Sequence, residues 1–391
     1  MKKYIFLVTL LVCGFFSINA VAGAPATAVP EPFRGHDANS KLAIDYRDLD
    51  SLLDTVVLFT GRSNRKKASS TQNTTGTRMK VSVNRATINE GNRFYFEVFD
   101  DSPENQQTIS KIRSRLESIP TAVSLEKFSR DEQLAYWINL YNITLIEEIV
   151  KIYPEPKLED LLVGKDSVLS KKTLNVAGVP LSLDDIQFTI LKQNYDNSPL
   201  VIYGLYQGII GGPSIRKSAY TGKYVYADLI ENAIEFINSN RGTESRNKRV
   251  FRVSSLYERN QLFFPDFDTD LTEHLLTYLE GDERAELQAA TKIKTDIDDW
   301  TVTDLYGSTR DLGASLANNN AALAGAVSGG SSSRLTSNSV VATRYSPAVL
   351  QRLNEINAKK AAERTGTVTI EEMGEAQDEA SATDQDDHGV N

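Results

Sequence analysis

Apolar side chains recur every third or fourth residue in several stretches, and each stretch predicts a helix with one buried face. In Lys41–Thr60 the repeat runs through Leu42, Tyr46, Leu49, Leu52, Leu53 and Val56, and Gly61 supplies a stop. Glu104–Ser118 predicts a second amphipathic helix, ended near Pro120. The clearest pattern spans Arg130–Tyr153. Leu134, Ile138, Tyr141, Leu145 and Ile149 form one stripe, with Ala135, Asn139, Asn142 and Ile146 beside it. Ser129 is its N-cap, Glu132 completes a capping box, and Pro154 and Pro156 close it. Leu181–Leu191 behind Ser182, Tyr224–Asn238, Leu271–Glu280 and Arg284–Leu305 read as further helices.

Strand signals are shorter. Met79–Val83 and Phe94–Phe99 each predict a short strand, as do Leu200–Leu205 and Lys248–Ser254. Thr173–Pro180 reads as a hairpin with Ala177-Gly178 at its tip. The aromatic residues of Leu256–Phe267 are expected to pack on the body. The fold class that results is α+β: several helices around a small, mainly antiparallel sheet.

The two ends of the chain have a different composition. Lys2 and Lys3 precede an apolar run, Tyr4–Phe16, and a small-x-small site, Ala20-Val21-Ala22. That is the anatomy of a secretory signal peptide over residues 1–22, so the mature protein is expected to be exported, to a periplasm or to the medium. A lipoprotein signal built on Cys13 fits poorly, because Val12 is bulky and the apolar run continues past the cysteine. No later run approaches the roughly 20 apolar residues of a spanning helix. The body is expected over residues 23–312. From Gly313 to Asn391 the chain is rich in Ala, Asn, Gly and Ser and then acidic, which predicts disorder apart from a solitary helix at Pro347–Arg364.

Charge changes little about this picture. The net −9 is concentrated in the tail, where Glu371–Asn391 holds eight acids and no base. Without that tail and the two leader lysines the remainder sits at about −3, which excludes a polyanion binder. One basic stretch, Arg62–Arg93, carries eight lysines or arginines against a single acid, Glu90, and predicts a long exposed loop. It has no aromatic residue to stack on bases, so nucleic acid is not an expected partner.

Candidate chemistry is scarce. Cys13 is the sole cysteine and leaves with the leader. The three histidines, His36, His274 and His388, have no ligand spacing, so no metal site or cofactor is expected. His274 reads as an ordinary helix residue. Gly208, Gly211, Gly212 and Pro213 make a glycine-rich turn without the lysine of a nucleotide loop.

Several ordered motifs carry a resemblance. FSR followed by DEQLAYWINLYN (131–142), LSLDDIQFTI (181–190), VIYGLYQGIIGGPSIR (201–216) and Ala219-Tyr220-Thr221 resemble, in order, segments of the family catalogued as domain of unknown function 547. The likeness extends from about Leu42 to Leu279. The resemblance implies a thiol-dependent active site, and this chain departs from it there. Gln187 and Phe188 stand where the family has glutamate and histidine. Ile202 replaces another histidine, and Gln207 and Gly212 replace two cysteines. By analogy a papain-like or transglutaminase-like cleft is expected, lined by Gln207, Gly208, Ile202, Phe188, Gln187, Trp137, Asn139, Asn142 and Arg216. No residue among these is an expected nucleophile. The bland reading of Asn139 and Asn142 is that they fasten loops, with Trp137 in the core.

The functional expectation is an exported, catalytically inactive family member that binds a protein or glycan partner in the cell envelope. Two alternatives remain. One is a hydrolase or transferase using oxygen chemistry from Asp184, Asp185, Tyr203 or Tyr206. The other is a surface adaptor acting through the basic loop and the acidic tail.

Overall fold

A computed structural model describes residues 28–67, 86–88, 90–100, 102–164, 166–247 and 249–305. The expected signal peptide, the strand at Met79–Val83, the helix at Pro347–Arg364 and the acidic tail lie outside those residues.

The first helix is shorter than its periodicity predicts. Helix α1 covers Arg47–Val56, and Val57–Leu58 continues as strand β1, antiparallel to β2 (Arg93–Phe94). Two successive valines favour extended backbone, and the Val56 carbonyl accepts the Tyr95 N–H at 2.9 Å. The strand expected over Phe94–Phe99 is likewise cut short, because Glu97–Asp100 forms helix α2.

Helix α3 (Pro103–Ala122) runs straight through Pro120, where a stop is predicted. A proline offers no N–H to the carbonyl four residues back. That carbonyl, on Leu116, instead accepts the Tyr136 hydroxyl at 3.1 Å, so the defect is filled from the neighbouring helix.

That neighbour, α4 (Arg130–Ile152), is the centre of the molecule. Every residue from 132 to 147 is buried, polar ones included. Ser129 Oγ accepts the Glu132 N–H at 3.2 Å, as the sequence predicts. The reciprocal half of the capping box is absent. The Glu132 carboxylate instead accepts the N–H groups of Ile44 and Gly222, both at 3.0 Å, and so ties two distant segments to the helix start.

A short helix α5 (Glu159–Leu162) precedes the hairpin of β3 (Leu174–Val176) and β4 (Val179–Leu181). Ala177 and Gly178 both have positive φ, 49° and 81°, the primed turn that suits strand twist. Ser182 caps the next helix reciprocally with Asp185: Oγ accepts the Asp185 N–H (3.1 Å), and the Asp185 carboxylate accepts the Ser182 N–H (2.6 Å). This helix opens into a π-helix over Asp185–Leu191 before closing as α6 (Lys192–Asn194).

The strand expected at Leu200–Leu205 is a 3-10 helix, Pro199–Gly204. An apolar run buried on all sides has no period to separate the two, and Ser198 Oγ caps it through the Leu200 N–H. Helix α7 (Val225–Ile237) follows as predicted. Then come β5 (Thr243–Asn247), β6 (Val250–Ser254), α8 (Leu256–Arg259), α9 (Phe267–Tyr278) and α10 (Gly281–Ala289). The helix expected over Arg284–Leu305 ends early. Lys292–Ile297 is strand β7, whose Ile293, Thr295 and Ile297 alternate, and it pairs parallel to β6 while β5 pairs antiparallel on the other side. The architecture is α+β, with three small separate sheets rather than one among the described residues.

The described ends of the basic stretch are not a free loop. Arg65 donates to the carbonyls of Ile237 (3.2 Å) and Thr243 (2.7 Å) and pairs with Glu283 at 3.2 Å. Glu90, Asn92 and Arg93 are buried. Residues 68–85 lie outside the described set.

After β7, residues 299–303 stitch the body together. Asp299 and Thr301 carbonyls accept the N–H groups of Gly211 and Ile210 (2.8 Å each), and the Trp300 carbonyl accepts that of Leu158 (3.0 Å). Thr303 donates its N–H to the Gly208 carbonyl (2.8 Å) and accepts the N–H of Phe94 (2.8 Å).

Candidate functional site

Gln207 lies after the 3-10 helix, where α4, the π-helix and α8 meet. Its Oε1 accepts Nη2 of Arg259 at 2.9 Å. Oε1 is the end of the amide that can face a guanidinium, since Nε2 there would set donor against donor. The next residue of the chain, Asn260, holds a second amide: its Oδ1 accepts Nε2 of Gln187, whose Oε1 lies 3.5 Å from the Tyr141 hydroxyl. Arg259 also donates to Ser255 Oγ (2.5 Å), and its guanidinium lies 4.6 Å from the centroid of the Trp300 ring. Two adjacent residues at the end of α8 thus gather both glutamines. The expectation that Gln187 and Gln207 share a site corresponds to this cluster.

Phe188 follows Gln187 in the π-helix. Its half-buried ring packs on Phe263, centroids 6.1 Å apart. Ile202 is buried within the 3-10 helix. Gly208 has φ +72°, a backbone conformation that favours glycine, and a Cβ there would also press on the end of the Ile149 side chain at 2.2 Å. The glycine-rich turn offers no phosphate cradle, because the N–H groups of Ile210 and Gly211 are spent on Thr301 and Asp299 and that of Gly212 on Ile209.

The remaining expected residues fall elsewhere. Asn139 donates to the Tyr220 carbonyl (2.8 Å) and accepts the Tyr220 N–H (2.9 Å). Asn142 does the same across Gly204 and Tyr206, donating at 2.9 Å and accepting at 2.9 Å. Both are clamps between α4 and the segment beside it. Trp137 is fully buried and packs edge-on to Phe33 and Tyr136, each at 5.0 Å. Arg216 does not face an anion site: it pairs with Asp228 (2.8 Å) and Glu231 (3.2 Å) and covers Tyr220.

Electrostatics separate the members of the cluster. Burial pushes the Arg259 guanidinium below its ordinary pKa, with Asp298 partly compensating. Asp184 is pushed up by burial and then by Asp185. Asp185 itself is lowered: burial raises it, but hydrogen bonds from Lys172 and Ser182 outweigh that. Tyr141 is raised by burial; the field of Asp184 adds to that and the field of Arg259 opposes it.

Of the oxygen groups considered for catalysis, Tyr203, Tyr206 and Asp185 are engaged away from Gln207. The Tyr206 hydroxyl bonds Thr303, and Asp185 bonds Lys172 and Ser182. The Tyr203 hydroxyl lies 3.2 Å from that of Tyr257 and 2.9 Å from Nε2 of His274, whose ring stacks on Tyr203. Burial lowers the His274 pKa to about 4. The Asp184 side chain alone makes no hydrogen bond or ion pair among the described residues.

This geometry sits on the segment that carries the resemblance. Residues 125–237 match the family described as protein of unknown function, DUF547. The match covers α4, the π-helix, the 3-10 helix and most of α7, and so includes Gln187 and Gln207. It excludes Ser255, Arg259, Asn260 and Trp300. No curated protein and no solved structure matches the chain. Those residues beyond the DUF547 segment were missed from sequence, where Leu256–Phe267 reads only as an aromatic packing block. A lone Arg-Asn pair ending a four-residue helix carries no pattern of its own.

Proposed function

We propose that this chain is a non-catalytic binding member of the DUF547 group, exported and accessory to the cell envelope, which holds a ligand where relatives would carry a thiol. The observation that carries this reading is the Gln207–Arg259 bond at 2.9 Å. A neutral amide fastened to a guanidinium can orient a ligand, but it neither attacks nor abstracts a proton. The absence of any cysteine beyond Cys13 supports it further. The test is turnover. Purified protein starting at Gly23 is expected to leave chromogenic esters, thioesters and peptide amides at their buffer rates. Hydrolysis that disappears in Gln207→Ala or Arg259→Met overturns the reading. Export is checked separately by the N-terminal sequence of the protein recovered outside the cytoplasm, expected to begin at Gly23.

Asp184 favours a second reading, a hydrolase with a carboxylic acid as proton donor. It predicts ester turnover that falls at least tenfold in Asp184→Asn and leaves folding intact.

A further inference from the structure

Arg259 differs from five other arginines that are buried or half-buried. Arg65, Arg113, Arg216, Arg241 and Arg252 each lie within 4.0 Å of a carboxylate. Arg259 has no ion pair among the described residues and reaches Asp298 only through the Ser255 hydroxyl, which bonds both. Of its five N–H donors, two are used. Nε2 of Gln207 has no protein acceptor either, and solvent reaches both side chains. A half-buried cation stacked on an indole, with donors left over beside a free amide N–H, is incomplete without an anion.

The geometry points to a binding site for an organic monocarboxylate, held by Arg259 and Gln207 with its apolar body against Trp300. The planar fork of a carboxylate suits the spare guanidinium donors and the adjacent amide. The charge is limited to one. A single cation is available, and Asp298, which reaches it through the Ser255 hydroxyl, would repel a second negative charge. The apolar body follows from the surroundings. The Trp300 ring underlies the guanidinium and is itself half-buried, which leaves it an apolar surface beside the spare donors. This site rests on the reading of the Gln207–Arg259 cluster as a place where a ligand is held.

Benzoate is the probe, with benzamide as its neutral counterpart and inorganic phosphate as a multiply charged one. Trp300 and the fully buried Trp137 are the two tryptophans, so quenching by ligand that disappears in Trp300→Phe reports this site. Calorimetry on the same samples gives an affinity that does not depend on fluorescence. Benzoate is expected to bind at least tenfold tighter than benzamide or phosphate. Arg259→Met is expected to lose at least tenfold of that affinity. Gln207→Glu supplies an internal carboxylate to Arg259, and it is expected to abolish benzoate binding while melting no lower than the parent protein. That second variant separates ligand loss from misfolding. If benzoate fails to bind, binds no better than benzamide, or binds Arg259→Met unchanged, the carboxylate assignment is overturned. Benzamide binding lost in Trp300→Phe would then leave the binding reading standing, whereas ester turnover by the same protein would remove that reading and leave the benzoate titration to judge the site.

Discussion

Two sets of buried amides lie within a few residues of one another and are treated in opposite ways. Asn139 and Asn142 on α4 each use both ends of the side chain, one on a backbone carbonyl and one on a backbone N–H. Gln207 uses one end, on a side chain, and leaves the other to solvent. The first arrangement replaces missing secondary structure: Tyr220, Gly204 and Tyr206 lie outside strands and helix interiors, and their peptide groups need partners. The second satisfies nothing in the backbone. An amide bonded at both ends to peptide groups belongs to the scaffold, and one bonded at a single end marks where the protein is open to something else.

Stability measurements can break this distinction. The largest effect is expected at the clamps. Asn142→Ala leaves a buried carbonyl and a buried N–H unpaired, and should lower the unfolding free energy by about 4 kcal/mol, with Asn139→Ala similar. Urea unfolding followed by circular dichroism reads this directly, and a loss below about 1 kcal/mol at both positions would remove them from the scaffold.

Next in size is a pH effect at His274. Burial holds its pKa at about 4, against an ordinary value of 6.5. The folded form therefore resists a proton that the unfolded chain accepts. Stability is full above pH 6.5 and falls as the pH drops toward 4, by up to about 3 kcal/mol from this group. The difference in stability between the parent protein and His274→Gln should shrink over that window, and a difference that stays flat contradicts it.

Tyr136→Phe is smaller. It unpairs the Leu116 carbonyl opposite Pro120 and should cost about 2 kcal/mol, seen as a lower melting temperature. Gln207→Ala is the smallest, below about 1 kcal/mol, because the part-buried contact to Arg259 joins two side chains and leaves no peptide group unpaired. A clamp-sized loss at Gln207 would falsify the separation of scaffold from site.

Much of the helical frame was legible because its signals are local. Ser129 and Ser182 cap where a sequence reading places them, and Ala177-Gly178 turns as its residue types require. The failures are where a distant partner decides. Pro120 does not end α3, since Tyr136 lies on another helix. Glu132 abandons its own cap for Ile44 and Gly222. Lys292–Ile297 becomes a strand because β6 offers it an edge. At the site, Gln187 and Gln207 were identifiable from the motifs around them. Arg259, Asn260 and Trp300 were not, because their importance is a matter of what they touch across 41 to 73 positions of sequence.

The stitching by residues 299–303 also sets a lower limit on what can be cut out of this protein. A fragment trimmed to 125–237 would keep every motif by which the chain is recognised, yet the peptide groups of Gly208, Ile210 and Gly211 would lose the strand-like partner they now share. The recognisable piece is therefore shorter than the foldable one, and any attempt to produce the domain in isolation has to carry its downstream seam along with it.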